Sequence, residues 1–580
     1  MVIKNLFFFT LAVLFISCNR DEVVVAESGQ APVIELDSED GIYAVKIGRE
    51  LVIAPTYRYA DHALFAWTIE GKLISTDPTL KYTWDESGEV FITLRVDNEN
   101  GHAEEEVKVE VRDLLPPAIN LYVPAKGLKV QKGIENTLTA VIAHRDLAGF
   151  KVEWVRAGVV VSTDTTYTFK ENQVGVFPIT ITASNEDGET KKELEIEVVE
   201  NMPYEVVFPA PSYEQSVSTR YTFAGRPVFL RPLLDYFENP QYRWSIDGKP
   251  VEGETGRVYK FTPSSAGEYR ITVSVTEMQN SISVESAVTV VCVNGSESSG
   301  YRAASGASSA YSNRVYEYTP APGQFINETN TGGFTGSEST REAAVEYASK
   351  RIAKQSYVSL GSFGGYIIVG FDHSIQNKGG YDFAIQGNAF DSSNEPGIVW
   401  VMQDVNGNGK PDDEWYELRG SETGGEWTVQ EYAVTYYRPA GPRQGVKWTD
   451  NLGRSGQVAY LGQFHAQDYY YPLWLEEESH TYYGTGLRQN TTQTPGGDWS
   501  NNSFEWGYVD NAGSDNLESS SKTGKTWFKI SNAMTPDGQP AGLRYIDFIK
   551  VQSAINGSAG GLGELSTEVA GMAVDENLDR

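Results

Sequence analysis

The sequence predicts an all-β fold: three tandem sandwich modules followed by a larger β-sandwich domain with one short helix. Three observations carry this. A pattern centred on one tryptophan recurs three times in the first half, a strand of alternating polarity follows each copy, and one good helix signal stands in 580 residues. Phe65-Ala-Trp67-Thr-Ile-Glu-Gly71 aligns with Val152-Glu-Trp154-Val-Arg-Ala-Gly158 and with Tyr242-Arg-Trp244-Ser-Ile-Asp-Gly248. Each Trp is followed by a Tyr that precedes a second aromatic: Tyr82 with Trp84, Tyr167 with Phe169, Tyr259 with Phe261. A Gly then opens an alternating run at Gly88, Gly175 and Gly267. Period-two alternation means one buried face, as in a sandwich.

Gly71-Lys72 and Asp247-Gly248 supply turns. Ala31-Pro32, Pro116-Pro117 and Met202-Pro203 mark the starts of modules at 31–113, 114–201 and 202–293. The set resembles PKD-like domains, which are Ig-like sandwiches common in surface proteins. That resemblance implies a Trp packed against the opposite sheet, here without a disulfide. The alternative is that these Trp residues bind glycan, but repeat-equivalent places inside strands favour the core.

At the N-terminus, Lys4 precedes the apolar run Leu6 to Ile16, too short for a span of about 20 residues. Residues 1–17 read as a cleavable secretory signal. Leu14-Phe15-Ile16-Ser17-Cys18 resembles a lipobox, with its Leu one place nearer the Cys than usual, so Cys18 is the expected lipidation site and 18–30 a tether. Asn19-Arg20-Asp21-Glu22 resembles the tag that exports lipoproteins of gut Bacteroidota to the outer face of the outer membrane; a periplasmic location is the rival. The other cysteine, Cys292, lies in an apolar run and reads as a core residue. A net charge of −31 argues against nucleic acid and against a basic membrane-surface helix.

Residues 294–310 are rich in Gly, Ser and Ala and read as a flexible linker. The repeat stops there, and 311–580 reads as one ligand-binding domain. Its helix signal is the capping box Ser339-Thr-Arg-Glu342 before Ala343, Ala344, Tyr347, Ala348 and Ile352. Strands are expected at 365–371, 381–385, 397–402 and 543–551. Leu360-Gly-Ser-Phe-Gly-Gly-Tyr366 and the segments after it look like the opening of a discoidin-like jelly roll, an architecture that does not fix function.

The sharpest chemical motif runs from Asp404 to Glu414. Side-chain oxygens of Asp404, Asn406, Asn408 and Asp412, the Lys410 carbonyl and a sharp turn at Gly409 suit a structural Ca2+. The closing position holds Trp415, so Glu414 or Asp413, or a residue from elsewhere, must complete the set; a solvated acidic turn is the plain alternative. An aromatic, amide-rich stretch from about 463 to 508 is the expected ligand site: His465, Gln467, Tyr469, Tyr470, Trp474, Tyr483, Arg488, Trp499 and Trp506. Rings cover apolar faces and amides satisfy a polar fringe, although several of these rings are expected simply to pack loops. No hydrolase, zinc-protease or phosphate-loop motif is present. Glu476-Glu-Glu478 could hold an acid–base pair but reads as a solvated run, so no enzyme activity is expected.

Tyr318 to Asn327, Leu360 to Tyr366, Gly380 to Phe383, Glu395 to Asp404 and Asp412 to Leu418 together resemble the Bacteroidota cell-surface protein group that includes the BtuH-type lipoproteins. That resemblance, over roughly 315–580, implies capture of cobalamin (vitamin B12) and delivery to a TonB-dependent outer-membrane transporter. It assigns no individual contact. A glycan-binding lipoprotein of a polysaccharide-utilisation system, or an adhesin without a small ligand, are the alternatives.

Overall fold

The computed structural model describes residues 29–38, 40–124, 126–210, 212, 218–312, 314–329, 334–493, 499–517 and 525–574. The expected signal segment and Cys18 lie outside the described residues. Strands dominate, and the described residues contain one α-helix. The chain divides into two compact units, one ending at Leu115 and one beginning at Pro116.

The first unit is a single sandwich. Its five-stranded sheet runs Ile42–Lys46, Gly101–Arg112, Gly88–Asn98, Leu64–Ile69, Lys72–Ser75, and the short pair Leu51–Ile53 with Leu80–Tyr82 lies opposite. The strand Ile42–Lys46 joins the sheet parallel to Gly101–Arg112, an arrangement the other two modules repeat. Trp67 is fully buried, and its indole donates to the Asp77 carbonyl at 2.9 Å. The equivalent Trp154 and Trp244 do the same to Asp164 (2.9 Å) and Gly256 (2.8 Å). The repeat therefore encodes a buried ring whose one polar atom is satisfied, which is what a core position demands. Cys292 is also buried, in the last strand of the third sandwich.

The second unit joins the second and third sandwiches to the C-terminal domain. The second sandwich is built on the sheet Leu128–Gln131, Gly188–Val199, Gly175–Asn185, Lys151–Arg156, Val159–Ser162, and the third on Thr219–Phe223, Ile282–Val293, Gly267–Glu277, Pro240–Ile246, Lys249–Pro250. The C-terminal domain is centred on a six-stranded antiparallel sheet in the order Arg314–Thr319, Tyr366–Gln376, Tyr545–Ser553, Gly397–Met402, Trp415–Leu418, Ala533–Met534. A four-stranded sheet (Ser455–Val458, Val446–Asp450, Val429–Tyr437, Ser479–Gly486) and a three-stranded one (Lys525–Phe528, Phe383–Gln386, Gly571–Ala573) complete it. One face of the central sheet, with Ile367, Val369, Val399, Val401, Ile549 and Val551, forms the main core.

The helix spans Arg341–Ile352 and buries Ala344, Tyr347, Ala348 and Ile352 as the pattern predicts. Its cap is Thr340, one residue later than expected, with the hydroxyl accepting from the Ala343 N–H at 3.2 Å. The glycines of Leu360 to Tyr366 are required sterically. A Cβ on Gly361, which has φ 71°, would stand 2.0 Å from the Ala321 carbonyl oxygen, and one on Gly365 would stand 1.8 Å from that of Leu360.

The stretch 294–310 departs from the flexible linker its composition suggests. The Arg302 guanidinium donates to the fully buried Asp547 at 2.8 Å, the Arg302 N–H donates to Ser374 Oγ at 2.9 Å, and the Tyr545 hydroxyl donates to the Glu297 carbonyl at 2.6 Å. Small residues gave the composition, but two charged ones pin the chain to the domain.

Candidate functional site

The aromatic stretch does not converge on a site. Tyr470 and Trp474 are core residues, 0% and 3% exposed, the latter beside Tyr318 and Phe334. Gln467 donates to the carbonyls of Gln324 (2.6 Å) and Ile326 (2.9 Å), fastening one loop to another. His465 is held by Glu328 at 2.8 Å and packs edge-on to Phe325. Tyr469 is half-buried, with its carbonyl accepting from Asn327 at 2.9 Å. Arg488 pairs with Glu422 at 2.7 Å and lies over Phe504. Trp499 packs against the cluster of Ile398, Leu487 and Phe504, and half-buried Trp506 offers its carbonyl to the Ser421 N–H. The shared reason is physical: long loops with few aliphatic residues must bury rings and amides to be held at all. Of the nine expected residues, Tyr483 alone lines a cavity between two domains.

That cavity, about 450 Å³, lies where the third sandwich meets the C-terminal domain. Its floor is the second face of the central sheet, opposite the main core. Register sets the floor: Trp400 stands opposite Lys550 on one neighbouring strand and opposite Glu417 on the other, and Tyr366 stands opposite Gln552. A row of aromatic and ionisable side chains therefore crosses adjacent strands. Lys550, 4% exposed, lies 4.9 Å from the Tyr366 ring centroid and 5.6 Å from that of Trp400. Tyr483 and Thr485 come from the strand Ser479–Gly486, and Thr485 donates to Glu417 at 2.6 Å. The opposite wall belongs to the third sandwich: Phe208, Phe229, Leu230, Arg231 and Leu233.

Burial sets the electrostatics. It pushes the Lys550 ammonium down to about 8, with Glu317 and Glu417 partly opposing, and the Glu417 carboxyl up to about 7. His480, also in the lining, is pushed down to about 4 by the same cause. Arg220 faces Glu414 at 3.5 Å, and Arg231 faces Glu431 at 2.8 Å. Each wall cation thus sits beside a carboxylate.

Sequence reading missed Trp400, Glu417, Lys550 and Gln552. The signal was present: each occupies an alternate place in a strand whose other places are apolar, so its side chain faces away from the main core.

The third sandwich is fastened beside the cavity. Arg226 is buried, with Nε donating to the Tyr416 hydroxyl at 3.2 Å and Nη1 bonded to Gln403 Oε1. Arg257 reaches Glu431 at 2.7 Å. Glu431 has φ 56° at the bulge between Val429 and Tyr432, which turns its carboxylate toward both arginines.

In the acidic loop, Asp404 accepts the N–H groups of Asn408 (3.1 Å) and Gly409 (2.9 Å), while the amides of Asn406 and Asn408 donate to Asp412 at 3.0 and 2.9 Å. Asp413 is fully buried and accepts the Val405 N–H at 2.8 Å. Glu414 does not close the loop, because it turns away to Arg220 and the cavity. Asp413 is the carboxylate left to do so. Burial holds the carboxyls of Asp404 and Asp413 above the usual range. A separate group, half-buried Glu395 with buried Asp510 and Glu568, has oxygens within 4.8 Å of one another, and desolvation raises all three.

Comparison with known proteins bears on the modules. Residues 31–98 match the family model of the PKD-like domain. No curated protein matches the chain. Among solved structures, the I-band fragment I67–I69 of titin is 12% identical over 46% of this chain and 99% of its own, with a TM-score of 0.20. Sidekick-1 immunoglobulin domains 1–5 are 14% identical over 46% of this chain and 60% of that one, TM-score 0.19. Fibronectin(III)-like modules of Clostridium thermocellum CbhA are 15% identical over 30% and 94%, TM-score 0.17. Residues 31–98 are thus similar to a PKD-like domain, and the chain as a whole is an all-β protein built from sandwiches.

Proposed function

We propose that this chain is a lipid-anchored outer-membrane protein, facing outward, that captures cobalamin and passes it to a TonB-dependent transporter. One observation supports the capture reading above the rest: an aromatic-floored cavity of about 450 Å³ at a domain junction, with a few fixed polar groups. Ligand sites are typically clefts of roughly 300–1,000 Å³ with that composition. Cobalamin offers flat rings with an amide fringe, which suit the rings of Trp400, Trp415 and Tyr483 and the polar atoms of Gln552, Thr485 and Lys550. A cavity of this size takes one arm of so large a ligand and leaves the rest outside. The chain is proposed to act as a binder and not as an enzyme. Ca2+ is proposed as a structural ion of the loop, held by Asp404, Asn406, Asn408, Asp412, Asp413 and the Lys410 carbonyl; its donor set is of the hard-oxygen kind.

Isothermal titration of the full chain with cyanocobalamin, with and without EDTA, tests both. One-to-one heat is expected, weakened when EDTA removes the loop's support. No heat at high protein concentration would reject cobalamin and point to a glycan array.

A further inference from the structure

We infer that the third Ig-like sandwich is part of the binding site, and that the interdomain cavity seats a flat, uncharged ring of the ligand between Phe229 and Leu233 of that sandwich and Trp415 and Tyr483 of the C-terminal domain. The inference rests on the capture reading above and specifies what that site recognises.

Two observations carry it. The first is where the wall comes from. Phe229 lies at the centre of the short strand Val228–Leu230, between two core residues, and so points to the outer face of its own sandwich. That face would be bathed in solvent in a free-standing module. In this chain it closes the cavity over the central sheet. Leu233 reaches the same wall from the strand Leu233–Asp235. The site has no second wall without the third sandwich, and that wall is held at two points, by Arg226 on Tyr416 and by Arg231 and Arg257 on Glu431.

The second observation is the charge pattern. Arg220, Arg231 and Lys550 all line the cavity, which alone would suggest an anion site. Yet Arg220 faces Glu414, Arg231 faces Glu431, and Lys550 interacts with Glu417 and Glu317 while lying against two rings. An anionic group entering the cavity would find each cation already beside a carboxyl group and would lose its own water. Burying a charge without a dedicated partner is strongly unfavourable, whereas a neutral ring loses little and covers aromatic surface. The walls therefore select for shape and neutrality.

The test uses the full chain and two probes: cyanocobalamin, and prodan, a small flat neutral fluorophore. Prodan is expected to bind with a blue-shifted emission. The anionic 8-anilinonaphthalene-1-sulfonate is expected to bind the same site at least tenfold more weakly. Phe229→Ala removes the ring from the wall and Leu233→Trp fills the space; each should weaken prodan tenfold or more while thermal unfolding stays cooperative. The exposed module-two variant Val176→Ala should bind as the wild type does. If prodan binds both wall variants normally, or does not bind the wild-type chain, the inference is overturned. If the sulfonate binds the site as tightly as prodan, the neutrality argument is overturned. If prodan binding is lost in both variants but cyanocobalamin fails to displace it, the wall assignment stands and the cobalamin reading falls.

Discussion

The first and third sandwiches share one framework and put it to different use. In the first, Leu51, Val52 and Ile53 pair with Tyr82, Lys81 and Leu80; in the third, Val228, Phe229 and Leu230 pair with Phe261, Lys260 and Tyr259. The inward residues are interchangeable aliphatics. The outward residue is Val52 in one, 45% exposed, and Phe229 in the other, lining a cavity. Just before it, Gly48-Arg49 and Gly225-Arg226 occupy the same turn, both glycines having positive φ. Arg49 is exposed, whereas Arg226 is buried against Tyr416 and Gln403. The lesson is that the repeat fixes the core, and the positions that face away from it decide whether a module stays exposed there or walls a cavity.

The largest effect that separates the two regions is their response to pH. In the C-terminal domain burial lifts Glu417 and Glu564 to about 7, Asp515 to about 6, and raises Asp510 and Glu568 as well. A carboxyl raised in the folded state stabilises below its unfolded value and loses that contribution as pH climbs to its folded value, at about 1.4 kcal/mol per pH unit for each group. His480, lowered to about 4, runs the opposite way. Urea unfolding of the second unit should therefore give a stability on the order of 5 kcal/mol lower at pH 7 than at pH 5. In the first sandwich, Asp40, Asp97 and Glu110 are held below their usual values by hydrogen bonds to Ser38, Arg95 and Arg112, so its small dependence should have the opposite sign, weakening as pH falls. Equal slopes for both units would break the contrast.

A smaller effect sharpens it residue by residue. Arg226→Ala strips buried charged hydrogen bonds and should lower the stability of the second unit by about 2–3 kcal/mol in chemical denaturation. The register-equivalent Arg49→Ala should stay within about 0.5 kcal/mol. A comparable loss at both positions would mean that the arginine serves the sandwich itself and not its docking.

Much of this architecture was readable beforehand. Trp67, Trp154 and Trp244 announced three cores because one ring per repeat, flanked by alternation, has few other uses. The strands around Val399 and Ile549 were equally plain. The site was less so, for two reasons. Tyr470, Trp474 and Trp499 have the composition of a binding surface, but rings in long loops are needed to pack those loops, and composition does not separate the two uses. Conversely, the cavity is assembled from Phe229 and Lys550, which lie more than three hundred residues apart in sequence, and no local pattern joins them. What was legible was each half: an unusually large outward residue in one repeat, and a lysine set within an otherwise buried strand. Likewise Glu414 belonged by position to the acidic loop, yet just before the strand Trp415–Leu418 it turns to Arg220 and the cavity.

The central claim is that ligand capture engages both walls. Hydrogen exchange of the full chain, with and without saturating cyanocobalamin, reads this directly. Binding is expected to slow exchange in Val228–Leu230 of the third sandwich together with Trp415–Leu418 and Ser479–Gly486 of the C-terminal domain. Slowing confined to the C-terminal strands, with Val228–Leu230 unchanged, would contradict it.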